Sequence, residues 1–258
     1  MMEMIGNFSY DGVDAWTEYG LVCKSVKRPL LPKKKVSRKE IAGMSGAIDI
    51  ETTTYELRQI TMKIQYIGTD YYELRSRARS IAAWLYVAGW YPLIILDEPD
   101  KKYLAKVTDE IELEGLWESG SAEVTFDCQP FAMALESVEE SFIAPAVMTK
   151  TFTNPGTIPI NRSCPQGSEF KIKFVGTWTN LTVTCNGKSI VVNAAGASAT
   201  LIIDNISMEV TSNGANLFSS ISGVIAEFLE IKPGSNTVTI AGTGVSGELT
   251  VQYIPMWI

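Results

Sequence analysis

The sequence predicts a mainly β protein with one helix, built as an α+β N-terminal domain followed by a C-terminal β-sandwich. Three observations carry this. Residues 103–128 alternate apolar and polar side chains with a period of two; a single window, residues 70–88, switches to helical spacing; and from Val147 onward short β-like runs recur between turn signals. At 258 residues the chain has room for one large β domain or two ordinary ones, and a boundary near residue 135 gives domains of residues 1–135 and 136–258.

Residues 1–26 give two short β-like runs around the Asp11-Gly12 turn signal. A basic segment follows, in which Lys27, Arg28, Lys33, Lys34, Lys35, Arg38 and Lys39 crowd into thirteen positions with Pro29 and Pro32. Such a run reads either as a solvated loop or hairpin tip, or as an arm that contacts the acidic surface of a neighbouring subunit. Ile60, Met62, Ile64 and Tyr66 then alternate with Thr61, Lys63 and Gln65 as a half-buried strand. Leu74, Ala78, Ile81, Leu85 and Ala88 recur at spacings of four and three, which predicts a helix with Asp70 as N-cap, Glu73 completing a capping box and Gly89 just past its end. Arg75 and Arg79 share its polar side. The uncharged run Ser80 to Leu96 falls short of a membrane span and holds Gly89 and Pro92, so it reads as a helix end and a buried strand.

The stretch Trp90 to Gln129 organises the N-terminal half. Tyr103, Ala105, Val107, Ile111 and Leu113 would point one way and Lys106, Thr108, Glu110, Glu112 and Glu114 the other; only Asp109 breaks the apolar row. After residues 115–120 the pattern resumes with Ala122, Val124, Phe126 and Cys128 against Glu123, Thr125, Asp127 and Gln129. The run from Tyr103 to Glu114 would span roughly 40 Å, about twice the usual strand. The result is a long hairpin with an acidic face.

Beyond residue 147, β-like runs are expected at 170–175, 181–185, 189–192, 200–203, 207–211, 227–231, 237–241 and 248–254, with Asn186-Gly187 as a two-residue hairpin turn and residues 233–236 as another turn. This spacing implies a β-sandwich.

Chemistry is limited by what the composition lacks. With no histidine, Ser-His and Cys-His nucleophiles and His-ligated zinc are excluded, and Cys23, Cys128, Cys164 and Cys185 are too widely spaced to suggest a tetrathiolate site. No catalytic, metal or cofactor residues are assigned. Gly242, Gly244 and Gly247 spell GxGxxG but precede a β run where a dinucleotide fingerprint opens a helix. The net charge of −7 argues against general binding to nucleic acid or anionic membrane, and the first ten residues show no secretory signal. Trp178, if exposed, has a ring that could stack on a sugar; the alternative is a core or turn aromatic.

The run GWYPLIILDEPDKKYLAKVTDEIELEGLWESGSAEVTFDCQPFA resembles the signature stretch of the distal tail protein family of long-tailed, non-contractile bacteriophages and prophages. FSYDGVDAWTEYGLVC, TMKIQYIG, IAAWL, FTNPGTIP, LIIDNISMEV, FLEIKPGSNTVTIAG and YIPMWI extend the resemblance, in order, over nearly the whole chain. It implies a tail-tube-like N-terminal domain, a galectin-like C-terminal sandwich and a homo-hexameric ring around a DNA channel in the virion tail tip, assembled in the host cytoplasm. Expected partners are the tail-tube protein, a tail-tip or baseplate hub protein and a receptor-binding protein; DNA would pass without specific binding, and no membrane is involved. On this reading Glu110, Glu112, Glu114, Glu123 and Asp127 are channel-lining candidates, and Lys27, Arg28, Lys33, Lys34, Lys35, Arg38, Lys39, Arg75 and Arg79 are interface candidates. The alternative is a carbohydrate-binding protein for host-wall sugars, in which Trp178 would stack on the glycan.

Overall fold

In the computed structural model the described residues are 7–67, 70–110, 121–144, 147–223 and 227–258, with backbone alone described at 49–53. They fall into two compact units, Met1–Leu135 together with Ile258, and Glu136–Trp257.

The first unit opens with β1 (Phe8–Tyr10) and β2 (Val13–Asp14), turning at Asp11-Gly12, where both residues take positive φ. A short helix that the sequence pattern did not reveal follows, α1 (Ala15–Tyr19). Five residues are too few to show a helical period, but the caps are legible: Asp14 accepts from the Thr17 N–H at 2.8 Å, and Gly20 closes the turn in the left-handed conformation. Next come β3 (Leu21–Lys27), the hairpin of β4 (Lys34–Glu40) and β5 (Ala47–Tyr55), and β6 (Arg58–Tyr66). The unit continues through α2 (Tyr71–Leu85), β7 (Tyr91–Ile95), β8 (Lys101–Val107), β9 (Ala122–Cys128) and β10 (Ala132–Ala134). The main sheet runs β2-β1-β7-β8-β9-β6-β3, with β10 also paired to β8.

Alternation sets the buried face. Ile60, Met62 and Ile64 on β6, Tyr103, Ala105 and Val107 on β8, and Val124, Phe126 and Cys128 on β9 are all buried, with Ile60 opposite Phe126 and Met62 opposite Val124. Trp84 docks α2 on this core: its ring stacks on Tyr19 and Phe8 with centroids 4.8 and 5.9 Å apart, and its Nε1–H donates to the Tyr10 carbonyl at 2.9 Å. Two expectations change. The helix stops at Leu85, because Tyr86 (ψ 72°) leaves helical conformation after donating its N–H to Ala82. Strand β8 ends at Val107, with the Thr108 hydroxyl turned to Asp127 at 2.8 Å and exposed Asp109 following; the rest of the strand expected up to Glu114 falls outside the described residues. Residues 111–120 lie outside the described residues.

The second unit holds β11 (Val138–Ala144), β12 (Met148–Asn154), β13 (Phe170–Trp178), β14 (Asn180–Cys185), β15 (Lys188–Val192) and β16 (Gly196–Asp204). After these come β17 (Glu209–Ser212), β18 (Ala215–Asn216), β19 (Ile221–Gly223), β20 (Gly234–Thr243), β21 (Ser246–Tyr253) and β22 (Met256–Trp257). Two sheets form, β11-β21-β13-β16-β17-β18 and β12-β20-β14-β15-β19. They meet where Tyr253 of the first donates its hydroxyl to the Thr153 carbonyl of the second at 3.0 Å and packs against Phe152. This is a β-sandwich compatible with the galectin-like fold that the resemblance implies.

Asn186 (φ 48°) and Gly187 (φ 85°) form the expected two-residue turn between β14 and β15. Buried Asn236 ties down the other turn, accepting from Lys232 N–H and Asn186 Nδ2 at 2.7 Å each and donating to the Lys232 and Gly234 carbonyls at 2.8 Å. Residues 227–231 form no strand apart from a bridge between Ile160 and Ile231; positive φ at Phe228 (53°) and burial of both Phe228 and Leu229 break the alternation. Gly242 and Gly244 lie at the β20–β21 turn, so the GxGxxG spelling has no helix to open.

Candidate assembly surfaces

The polar face of the main sheet holds two of the five channel-lining candidates, Glu123 and Asp127 on β9. Among the described residues it is mixed in charge. Lys63 of β6 sits opposite Glu123 in register, and Lys106 of β8 opposite Asp127. Asp127 also accepts from Gln59 Nε2 at 3.2 Å and from the Thr108 hydroxyl at 2.8 Å, while Lys106 lies 4.9 Å from the Trp90 ring centre. The sequence of one strand pair shows only its own charges, and β6, from earlier in the chain, supplies a compensating cation. Glu110 is exposed beyond the end of β8; Glu112 and Glu114 lie outside the described residues.

The basic segment is divided between a stem and a hairpin. Arg28 bonds Glu98 at 2.7 Å and Asp97 at 3.1 Å, and Lys33 bonds Glu56 at 2.8 Å. Arg58, which follows β5, is 3% exposed and donates to the Tyr103 hydroxyl at 3.2 Å and the Leu30 carbonyl at 3.4 Å, leaving its Nε–H buried without a partner. Sequence reasoning missed Arg58, which occupies an apolar position of the β6 alternation. Lys34, Lys35, Arg38 and Lys39 lie on β4, every residue of which is exposed; Lys27 ends β3.

Arg75 and Arg79 are exposed on α2 and line, with Ile81, Leu85, Asp109 and Glu110, a groove of about 1010 Å³. Arg77 pairs with Glu73 at 2.9 Å in place of the expected reciprocal cap.

Burial pushes the thiols of Cys23 and Cys164 up to about 11 and that of Cys185 to about 12, and raises Cys128 as well, which disfavours the nucleophilic thiolate at neutral pH. Among the described residues no acidic or thiol cluster could hold a metal ion, and no helix is long and apolar enough to cross a membrane. Trp178 corrects the sugar-stacking expectation: it is 3% exposed, donates Nε1–H to the Ala194 carbonyl at 2.8 Å and packs edge-on to Phe174, so its faces are unavailable to a glycan.

Two family profiles match in tandem, the phage tail protein RIFT-related domain over residues 16–128 and the siphovirus-type tail component, C-terminal domain, over residues 163–257. The class is therefore a structural protein of phage tails. The chain belongs to the distal tail protein family of siphoviruses, whose members are tail components that assemble into tail-tip complexes.

Among solved structures, the chain is similar to the SPP1 Dit protein, described as a paradigm of the hub adsorption apparatus in phages infecting Gram-positive bacteria. The identity is 17% and the TM-score 0.73, over 98% of this chain and 100% of that one, a likeness of fold. An exo-β-1,3-galactanase from Phanerochaete chrysosporium matches at 9% identity and TM-score 0.18, over 86% of this chain and 68% of that one, too poorly superposed to bear on function. No curated protein sequence matches the chain.

Proposed function

We propose that six copies of this chain form a ring at the distal end of the tail tube and act as the adaptor, or hub, between the last tube ring and the tail-tip or baseplate proteins. The observation that supports this most is the order and extent of the two family matches, one tail domain on each side of residue 135, together with a fold shared over nearly the full length of a known hub protein. Further partners on this reading are the tail-tube protein and a receptor-binding protein, with assembly in the host cytoplasm.

The polar face of β8, β9 and β6 is the candidate channel wall. Its chemistry suits passage of DNA: Glu123 and Asp127 disfavour phosphates, while Lys63 and Lys106, each opposite a carboxylate, give no uncompensated basic track on which DNA would stick. Native mass measurement and electron cryomicroscopy of the purified chain test both parts. A six-membered ring with Glu123 and Asp127 toward the lumen is expected. A stable monomer would sink the ring, and a ring with these residues turned outward would sink the channel assignment.

A further inference from the structure

We propose that Asn213 is a site of covalent self-modification, deamidating through the β17–β18 turn, and that the fold withholds the same reaction from Asn186. The chain holds two Asn-Gly pairs, Asn186-Gly187 between β14 and β15 and Asn213-Gly214 between β17 and β18. Their backbones are alike. The asparagines take φ of 48° and 47°, the glycines follow at 85° and 80°, and a Cβ added at either glycine would meet nothing within 4 Å. Each pair therefore sets an unshielded backbone N–H beside a side-chain carboxamide, and what surrounds that carboxamide decides which pair reacts.

The two carboxamides differ in what holds them. Asn186 Nδ2 donates to Asn236 Oδ1 at 2.7 Å and to the Glu230 carbonyl at 3.0 Å, while its Oδ1 accepts from the Thr237 N–H at 3.1 Å. Asn213 is exposed, and its side chain makes one hydrogen bond among the described residues, accepting from the Thr200 N–H at 2.9 Å. The products differ as well. A carboxylate at position 186 would turn an acceptor toward Asn236 Oδ1 and the Glu230 carbonyl, where the amide now donates to both. A carboxylate at position 213 still accepts from Thr200.

The only co-reactant is water. Hydroxide removes the Gly214 amide proton, the nitrogen attacks Asn213 Cγ, and the Cγ–Nδ2 bond breaks as Nδ2 leaves as ammonia with a proton from water. Water then opens the succinimide at either carbonyl, giving aspartate or isoaspartate. Attack requires the peptide between the two residues to rotate. Two-residue turns of types I′ and II′ differ by such a rotation, both keep positive φ at the first residue, and glycine is free to follow. Isoaspartate adds an atom to the backbone of the turn. The sheet absorbs it at its edge, because β18 is the outermost strand and pairs with β17 alone. Each event also makes the net charge of −7 one unit more negative.

Timed peptide mapping of the full chain, folded and in denaturant, tests this. Trypsin separates the sites, residues 174–188 carrying Asn186 and residues 189–232 carrying Asn213. In the folded chain Asn213 is expected to convert to a mixture of aspartate and isoaspartate at a rate that rises with pH. Asn186 should react about thirty-fold more slowly, because two further hydrogen bonds must break first. In denaturant the two rates should converge, which assigns the difference to the fold. Asn213→Gly keeps positive φ accessible and should abolish the acidic species that accumulates on ion exchange. Equal rates at the two sites in the folded chain, or faster conversion of Asn186, overturn the proposal. So does an intact Asn213 once the denatured chain has converted, and aspartate formed without isoaspartate would overturn the ring-closing route.

Discussion

The main sheet of the N-terminal unit and the hairpin inserted into it are both antiparallel β structure, yet they solve opposite problems. The sheet buries Phe8, Tyr10, Trp84 and Phe126 on one face and balances charges across its other face, Lys63 against Glu123 and Lys106 against Asp127. The hairpin buries no residue of β4, which carries Lys34, Lys35, Arg38 and Lys39 beside Glu40. Folding is therefore decided in the sheet, where contacts close within one chain, and β4, exposed throughout, contributes little to it. Substitutions should separate accordingly.

Trp84→Ala is the strongest test of the folding side. It removes the ring that joins α2 to β1, with its stacking on Phe8 and Tyr19 and its hydrogen bond to Tyr10, and a loss of about 3–5 kcal/mol is expected in denaturant unfolding. A loss below about 1 kcal/mol would mean that the helix is held by something else.

Arg58→Leu addresses the boundary between the regions. Two hydrogen bonds disappear, at about 1 kcal/mol each, partly offset because a cation with an unpartnered Nε–H is no longer buried. The expected net loss is about 1–2 kcal/mol, with faster tryptic cleavage at the lysines of β4 as the stem loosens. Unchanged cleavage would show that Arg58 does not anchor the base of the hairpin.

Asp14→Ala probes α1. Burial works against the Asp14 charge, but hydrogen bonds from the Thr17 backbone and hydroxyl and from Asn7 outweigh it and hold the carboxyl below its ordinary value. A carboxyl lowered in the folded state stabilises above its unfolded pKa and loses that contribution as pH falls through the native one. At neutral pH the variant should lose about 1 kcal/mol. The gap to the parent should close in acid; a gap that is constant with pH would refute the cap.

How much of this the sequence revealed follows from how local each determinant is. The β6 and β9 alternations, the Asp70 cap of α2 and the Asn186-Gly187 turn are specified within a few residues and could be read directly. The mixed charge of the polar face could not, because Lys63 meets Glu123 only through strand register, and neither could the Arg28 pairing with Asp97 and Glu98, some seventy positions away. Trp178 shows the same limit: a tryptophan at the end of a strand reads alike whether it faces solvent or, as here, the Ala194 carbonyl and Phe174.

The smallest expected effect on folding is also the sharpest contrast. Lys34→Glu with Lys39→Glu changes four units of formal charge on a strand whose residues are all exposed, and surface substitutions of this kind usually shift stability by no more than about 0.5 kcal/mol. Reversing Glu123 and Asp127 to Lys adds the same amount of charge with the opposite sign, but there it places like charges opposite Lys63 and Lys106 and removes the acceptor of Gln59 and Thr108. Thermal melts of the two double variants at low salt should therefore diverge, the hairpin variant overlaying the parent and the sheet variant melting lower, with the difference shrinking as salt screens the exposed part of the repulsion. Equal melting temperatures would erase the division between a sheet whose charges are coupled across strands and a hairpin strand whose charges are exposed.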